Sequence, residues 1–164
     1  MADPELVRHA RTLLTENRYL TLGTTGAEGR PWTSPVCFAA AGVQVYYWVS
    51  ESDAQHSRNL RKRRHVSLVV FDSTVAPYLG RAVYATGRAR ELSGDDLDLG
   101  LAVYPGPNRP GVSSLARDDV SGSSGYRLYR ATATRVWVLC PREPRQPCPL
   151  HDIAHDHRVR VDAP

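Results

Sequence analysis

The side chains with most to offer chemically lie between Ser50 and Asn59. Ser50, Ser52, His56, Ser57, Arg58 and Asn59 place hydroxyl, imidazole, guanidinium and amide donors at and just after an expected helix start. A phosphate needs several donors converging on one point, and a helix N-terminus adds free N–H groups and a favourable dipole. Arg58 has the fork to clamp a phosphate through two parallel bonds. The stretch therefore reads as a site for a phosphate-bearing ligand. Taken alone, Ser52 reads as a plain helix cap.

The elements around this stretch must position it. Ser52-Asp-Ala-Gln55 has the spacing of a capping box and opens a helix over residues 52–64. That helix is nearly all polar, with Ala54 and Leu60 as its apolar anchors. Two strands lead into it, over 32–40 and 43–50, and Pro35 in the first implies an edge, a bulge or a break in pairing. The continuous apolar run 66–71 reads as a buried strand.

Upstream, Asp3-Pro4-Glu5 starts a helix that carries Leu6, Val7, Ala10, Leu13 and Leu14 at helical spacing. A strand over 19–25 follows, and then a turn in which Gly29 is expected at positive φ. Downstream come a strand over 81–92 interrupted at Gly87, a helix from Ser93, and a long strand over 126–139. Short hairpin links dominate the first half, which predicts a mainly β fold: an antiparallel β-barrel with peripheral helices, one domain over 1–140. Residues 104–125, rich in Pro, Gly and Ser, read as a long loop and possible lid. Residues 141–164 read as an extended C-terminal arm.

Bulk properties narrow the class. The chain has 164 residues, 41% hydrophobic and 23% charged, which suits one globular domain with a sizeable core. No apolar run approaches the ~20 residues of a membrane span, and the N-terminus lacks the pattern of a signal peptide. Three cysteines, an odd number, suit reduced thiols in a cytoplasmic protein. The net charge of +4 is concentrated in Arg58, Arg61, Lys62, Arg63 and Arg64. That run lacks interleaved aromatics, so no nucleic-acid partner is expected and much of it reads as a solvated helix face. Neither Gly-x-Gly-x-x-Gly after a strand nor a P-loop occurs.

Two other groups invite a chemical role. His151, His155 and His157, with Asp152 and Asp156, lie near Cys140 and Cys148. A helix would put His151 and His155 on one face and suit zinc, but the cysteine spacing fits no common zinc motif and the prolines oppose a helix. No metal is therefore expected. Cys37 lies in a strand with no evident base beside it and reads as a small packing residue.

Several stretches together carry a resemblance. They are Leu20-Thr-Leu-Gly-Thr-Thr, Gly29-Arg-Pro-Trp-Thr-Ser-Pro-Val, Tyr46-Tyr-Trp-Val-Ser, His56-Ser-Arg-Asn-Leu, Val66-Ser-Leu-Val-Val-Phe and Thr86-Gly-Arg-Ala-Arg-Glu-Leu. In order and spacing they resemble the pyridoxamine 5′-phosphate oxidase-like, FMN-binding split-barrel family. The closing strand through Arg127-Leu-Tyr-Arg and Val136-Trp-Val-Leu also fits. The resemblance implies a Greek-key split barrel, a homodimer with FMN at the subunit interface, and an oxidoreductase acting on a small molecule. It places Ser34, Pro35, Val36 and Cys37 along the isoalloxazine ring. Val49, Ser50, His56, Ser57 and Arg58 fall at the phosphate, with Asn59 nearby.

The chain also departs from the oxidase pattern. Ser34 stands where a basic residue is usual, Ala39 and His56 where lysines are usual, and Ala82 where a glutamine is usual. The resemblance thus implies the barrel without vitamin B6 chemistry. It leaves open a deazaflavin-dependent reductase of the same fold, or a flavin- or haem-binding protein without turnover. With His56 in place of lysine, FMN affinity is expected to rise as pH falls from about 8 to 6.

Overall fold

A computed structural model of the chain describes residues 2–106 and 111–162. Helix α1 (Pro4–Glu16) starts on Asp3, whose carboxylate accepts from the Glu5 amide at 2.8 Å and the Leu6 amide at 3.4 Å. It buries Leu6, Ala10, Leu13 and Leu14 as one stripe and ends at Asn17. Next come β1 (Tyr19–Thr25), β2 (Pro31–Ala41), β3 (Val45–Glu51), α2 (Gln55–Lys62) and β4 (His65–Phe71). The chain continues through β5 (Ala82–Glu91), α3 (Gly94–Leu101), β6 (Tyr126–Leu139) and β7 (Arg158–Arg160).

The strands form one antiparallel sheet in the order β3-β2-β1-β4-β5-β6-β7, and a β3–β6 pairing closes β1 to β6 into a barrel. Strand β4 lies beside β1 after a three-strand meander, which is Greek-key connectivity. The mainly β reading, a barrel with peripheral helices, is therefore what the structure shows. Alternation along the strands sends Leu20, Leu22, Val36, Phe38, Leu68, Val70, Val83 and Ala85 inward to one core.

Local chemistry explains the irregular positions. Pro35 is tolerated because β2 pairs with β3 only from Phe38 to Ala41, so at Pro35 one side of the strand is open. Gly29 turns the chain at φ +79°. Gly87 sits at a register shift between β5 and β6, where a Cβ would lie 2.2 Å from the Thr132 carbonyl oxygen. A second apolar cluster beneath α3 holds Ala39, Tyr47, Leu97, Tyr104, Val120 and Leu128. The 104–125 stretch is thus anchored at Tyr104 and Val120; residues 107–110 of this expected lid lie outside the described residues.

Two expectations need revision. Helix α2 begins at Gln55 with Ala54 as its N-cap, and no side chain caps it. The Ser52 amide instead donates to the Gly125 carbonyl at 2.8 Å, so residues 52–54 form the turn that leaves β3 beside the start of β6. The arm expected to be extended over 141–164 folds back on the barrel, with residues 163–164 outside the description. Strand β7 pairs with β6, and Cys140, Cys148 and Val161 join the main core. Among the described residues no helix is long and apolar enough to cross a membrane.

Candidate functional site

The β2–β3 ladder runs from Ala41↔Val45 to Phe38↔Trp48 and stops. Helix α2 places His56 where the pairing ends. Its Nδ1 lies 3.1 Å from Ser34 Oγ on β2, and its Nε2 lies 2.8 Å from Ser50 Oγ on β3. The indole N–H of Trp32 donates to Ser34 Oγ at 3.0 Å. One imidazole therefore bridges two strands that no longer bond each other. The His56 residue is 9% exposed, and burial lowers its pKa below the ordinary histidine value. A neutral imidazole offers one N–H and one lone pair, so one serine hydroxyl donates to it and the other accepts.

The donors expected to converge on a phosphate are distributed around α2, because successive helical residues turn by ~100°. Ser57 is buried, and its hydroxyl donates to the Glu51 carbonyl at 2.8 Å. Arg58 is exposed and folds back on the Asp53 carbonyl and on Gln55 Oε1, the latter at 2.7 Å. Asn59 is buried, donates to Thr24 Oγ1 at 2.9 Å and accepts from Gln55 Nε2 at 2.8 Å. The structure thus brings together Ser34, Ser50 and His56, while Ser57 and Asn59 fasten α2 to β3 and β1. Val36 is in the core and Val49 is half-buried. Pro35 is exposed and Cys37 half-buried on the outer face of β2.

Beside this bridge lie two connected depressions that sequence reasoning missed. A cleft of about 470 Å³ is ringed by Arg61, Lys62, Arg63, Arg64, His65 and Arg88. Arg88 reaches it from β5, directly across from His65, with its Nη1 3.4 Å from His65 Nε2. A groove of about 520 Å³ shares Thr25, His65 and Arg88 with that cleft and continues along Gly23, Trp32, Thr33, Ser67 and Thr86. At Gly23 a Cβ would lie 2.2 Å from Ser67 Oγ, so glycine keeps this floor open. The basic run was visible in the sequence, but Arg88 joins it only through strand pairing. An uncharged, partly aromatic groove running into a cationic end suits a flat ring attached to an anion.

The outer face of β2, β1, β4 and β5 carries an unusual composition. Pro35, Thr21, Val69 and Tyr84 form one cross-strand row, and Thr33, Gly23, Ser67 and Thr86 form the next. Neither row contains a charge. Exposed Tyr19 and Phe71 extend the same face on β1 and β4.

Residues 6–140 match the family model for Pyridoxamine 5′-phosphate oxidase. The fold is similar to that of a heme binding protein from Mycobacterium smegmatis, with a TM-score of 0.68 and 20% identity, covering 98% of this chain and 60% of that one. The chain therefore spans less than two thirds of that protein's length. It is also similar to HutZ, the heme storage protein from Vibrio cholerae: TM-score 0.62, 23% identity, 83% of this chain and 96% of that one. An F420 reductase matches with a TM-score of 0.55 and 21% identity over 77% of this chain and 94% of that one. At these identities the likeness is one of fold. No curated protein matches the chain.

Proposed function

Since the chain belongs to the pyridoxamine 5′-phosphate oxidase family, matched over residues 6–140, we propose that it is an FMN-dependent oxidoreductase acting on a small molecule. The observation that carries this reading is the uncharged groove at Gly23 and Trp32 opening into the cleft of residues 61–65 and Arg88. The donor set fits a flavin mononucleotide. Residues 61–64 and Arg88 would hold the phosphate, backed by Ser34, Ser50 and His56 behind Trp32. The outer edge of β2, with Pro35 and Cys37, would flank the ring. Bound FMN would supply two-electron redox chemistry, and the chain would bind and orient it.

The partner in this reading is a second copy of the chain, with the cofactor at the interface. The charge-free rows across β2, β1, β4 and β5, with exposed Tyr19 and Phe71, support it, because charges are depleted at interface centres. Pyridoxal phosphate does not fit as substrate. Ala39 and Ala82 are buried and offer no side chain to grip it where the oxidase has lysine and glutamine. The three free cysteines suit a cytoplasmic setting.

A second reading is a carrier or store of flavin or haem without turnover, with a deazaflavin-dependent reductase as a further variant. Its support is that the bridge engages both ring nitrogens of His56, which leaves no free acid or base there. The same fold also occurs in the heme binding protein, the heme storage protein and the F420 reductase named above. Steady-state oxidation of a reduced nicotinamide by FMN-loaded protein tests the choice. Turnover supports the oxidoreductase; stoichiometric FMN without turnover supports the carrier.

A further inference from the structure

The folded tail gathers Cys140, Cys148, His151 and His157 so that one ligand atom from each lies within 4.8 Å of every other. His151 Nδ1 is 3.5 Å from both the Cys140 and Cys148 sulfurs. His157 Nε2 is 3.6 Å from Cys148 Sγ and 3.4 Å from His151 Nδ1. Tetrahedral zinc with Zn–S of ~2.3 Å and Zn–N of ~2.05 Å requires S···N edges of about 3.5 Å and an N···N edge of about 3.3 Å. The observed separations match those edges.

The protonation pattern points the same way. His157 Nδ1 lies 3.1 Å from the His155 carbonyl, which fixes the proton on that nitrogen and turns the Nε2 lone pair inward. The Cys148 sulfur already accepts the His151 amide at 3.2 Å. Two sulfurs and two imidazole nitrogens then converge within 4.8 Å of one another. Such a set of acceptors is stabilised by a cation.

The fold prepares the arrangement. The Cys140 amide donates to the His157 carbonyl at 3.0 Å, extending the β6–β7 ladder by one pair and setting these two ligands side by side. Cys148 and His151 sit on a tight loop: the Asp152 amide donates to the Cys148 carbonyl, and the Cys148 amide to the Ile153 carbonyl, each at 3.0 Å. No helix is needed, so the objection raised by the prolines does not apply. An ion pair of Arg142 with Asp156 at 2.7 Å clips the loop from outside.

We propose that Cys140, Cys148, His151 and His157 form a structural zinc site that staples the chain after β6 to β7. Two thiolates and two imidazoles in a tetrahedron select zinc over hard, oxygen-seeking cations. Four protein ligands close the coordination sphere, as in structural sites, and leave no position for substrate. The site begins at the last residue of the family match, so it lies outside the shared barrel except for Cys140. It is independent of the proposed flavin chemistry.

The test uses full-length protein purified without a metal-affinity tag, exposed to Zn²⁺ and dialysed. Elemental analysis should give one zinc per chain. Cobalt substitution should give the intense visible bands and thiolate charge-transfer absorption of a tetrahedral sulfur-containing site. His157→Ala and Cys148→Ser should abolish stoichiometric metal. Zinc-free protein should melt at a lower temperature and recover on zinc addition. Wild-type protein without stoichiometric zinc, or with only the weak octahedral cobalt spectrum, overturns the proposal. Variants that retain full metal also overturn it. If Cys148→Ser does not fold, the cobalt spectrum of the wild type decides.

Discussion

His56 Nε2 stands 2.8 Å from Ser50 Oγ, at the point where β2 and β3 stop pairing. With Ser34 on its other nitrogen, this imidazole replaces the missing strand–strand bonds. A side chain expected to be a phosphate ligand is thus also a structural fastener.

This geometry moves the expected pH response. Burial lowers the His56 pKa below 6.5, so the ring is neutral at pH 7 and FMN affinity should stay nearly flat from pH 8 to 6.5. His9 is shifted the same way, first by burial and then by Arg81. In both cases the unfolded chain binds protons more readily than the folded one below pH 6.5, so stability rises with pH there. That stability is present above pH 6.5 and is lost as pH falls toward the folded-state values. Melting temperatures from pH 8 to 5 should drop below pH 6.5, and less steeply in His56→Gln. An unchanged slope in the variant would remove His56 from this account.

His56→Lys exchanges the bridge for a fixed positive charge. Lysine has no acceptor, so the serine hydroxyl that donated to the imidazole lone pair loses its acceptor, and stability should fall by about 1–3 kcal/mol. FMN affinity at pH 8 should nevertheless increase. Denaturant unfolding and FMN titration of the same variant separate the two effects. A variant more stable than wild type would contradict the bridge.

Gly87→Ala places a methyl group 2.2 Å from the Thr132 carbonyl oxygen, which is backbone and cannot swing away. Destabilisation of about 1–3 kcal/mol is expected from such overpacking. Gly29→Ala meets nothing within 4 Å and is strained only by its φ of +79°, so the two substitutions distinguish close approach from turn conformation. Thermal unfolding should rank Gly87→Ala the more destabilised.

Val69→Asp puts a charge between Thr21 and Tyr84 in the uncharged row. The proposed dimer should dissociate, with little change in secondary structure. Light scattering at several concentrations would show it; a variant that remains dimeric would place the interface elsewhere.

Much of the barrel is readable from local sequence. Strands β1 and β6 fall at their expected bounds because alternation or a long β-rich run ends at clear breakers. The start of α2 was misread because Ser52 and Gln55 have the spacing of a cap. What decides the matter is the bond from the Ser52 amide to Gly125, a residue distant in sequence. Arg88 was missed for the same reason, since only the β4–β5 register brings it to His65. The convergence of Cys140 with His157 depends on β7, a three-residue strand with no periodicity to read. The fold was therefore legible where it is local, and the site only where its residues share a segment.

Flavin binding by a dimer underlies the proposed function. The visible spectrum of the purified protein, taken with its molar mass by light scattering after FMN addition and desalting, tests it. A flavin spectrum with one FMN per chain and a dimeric mass is predicted. A protein that retains no flavin, or that carries a haem spectrum in its place, would contradict it.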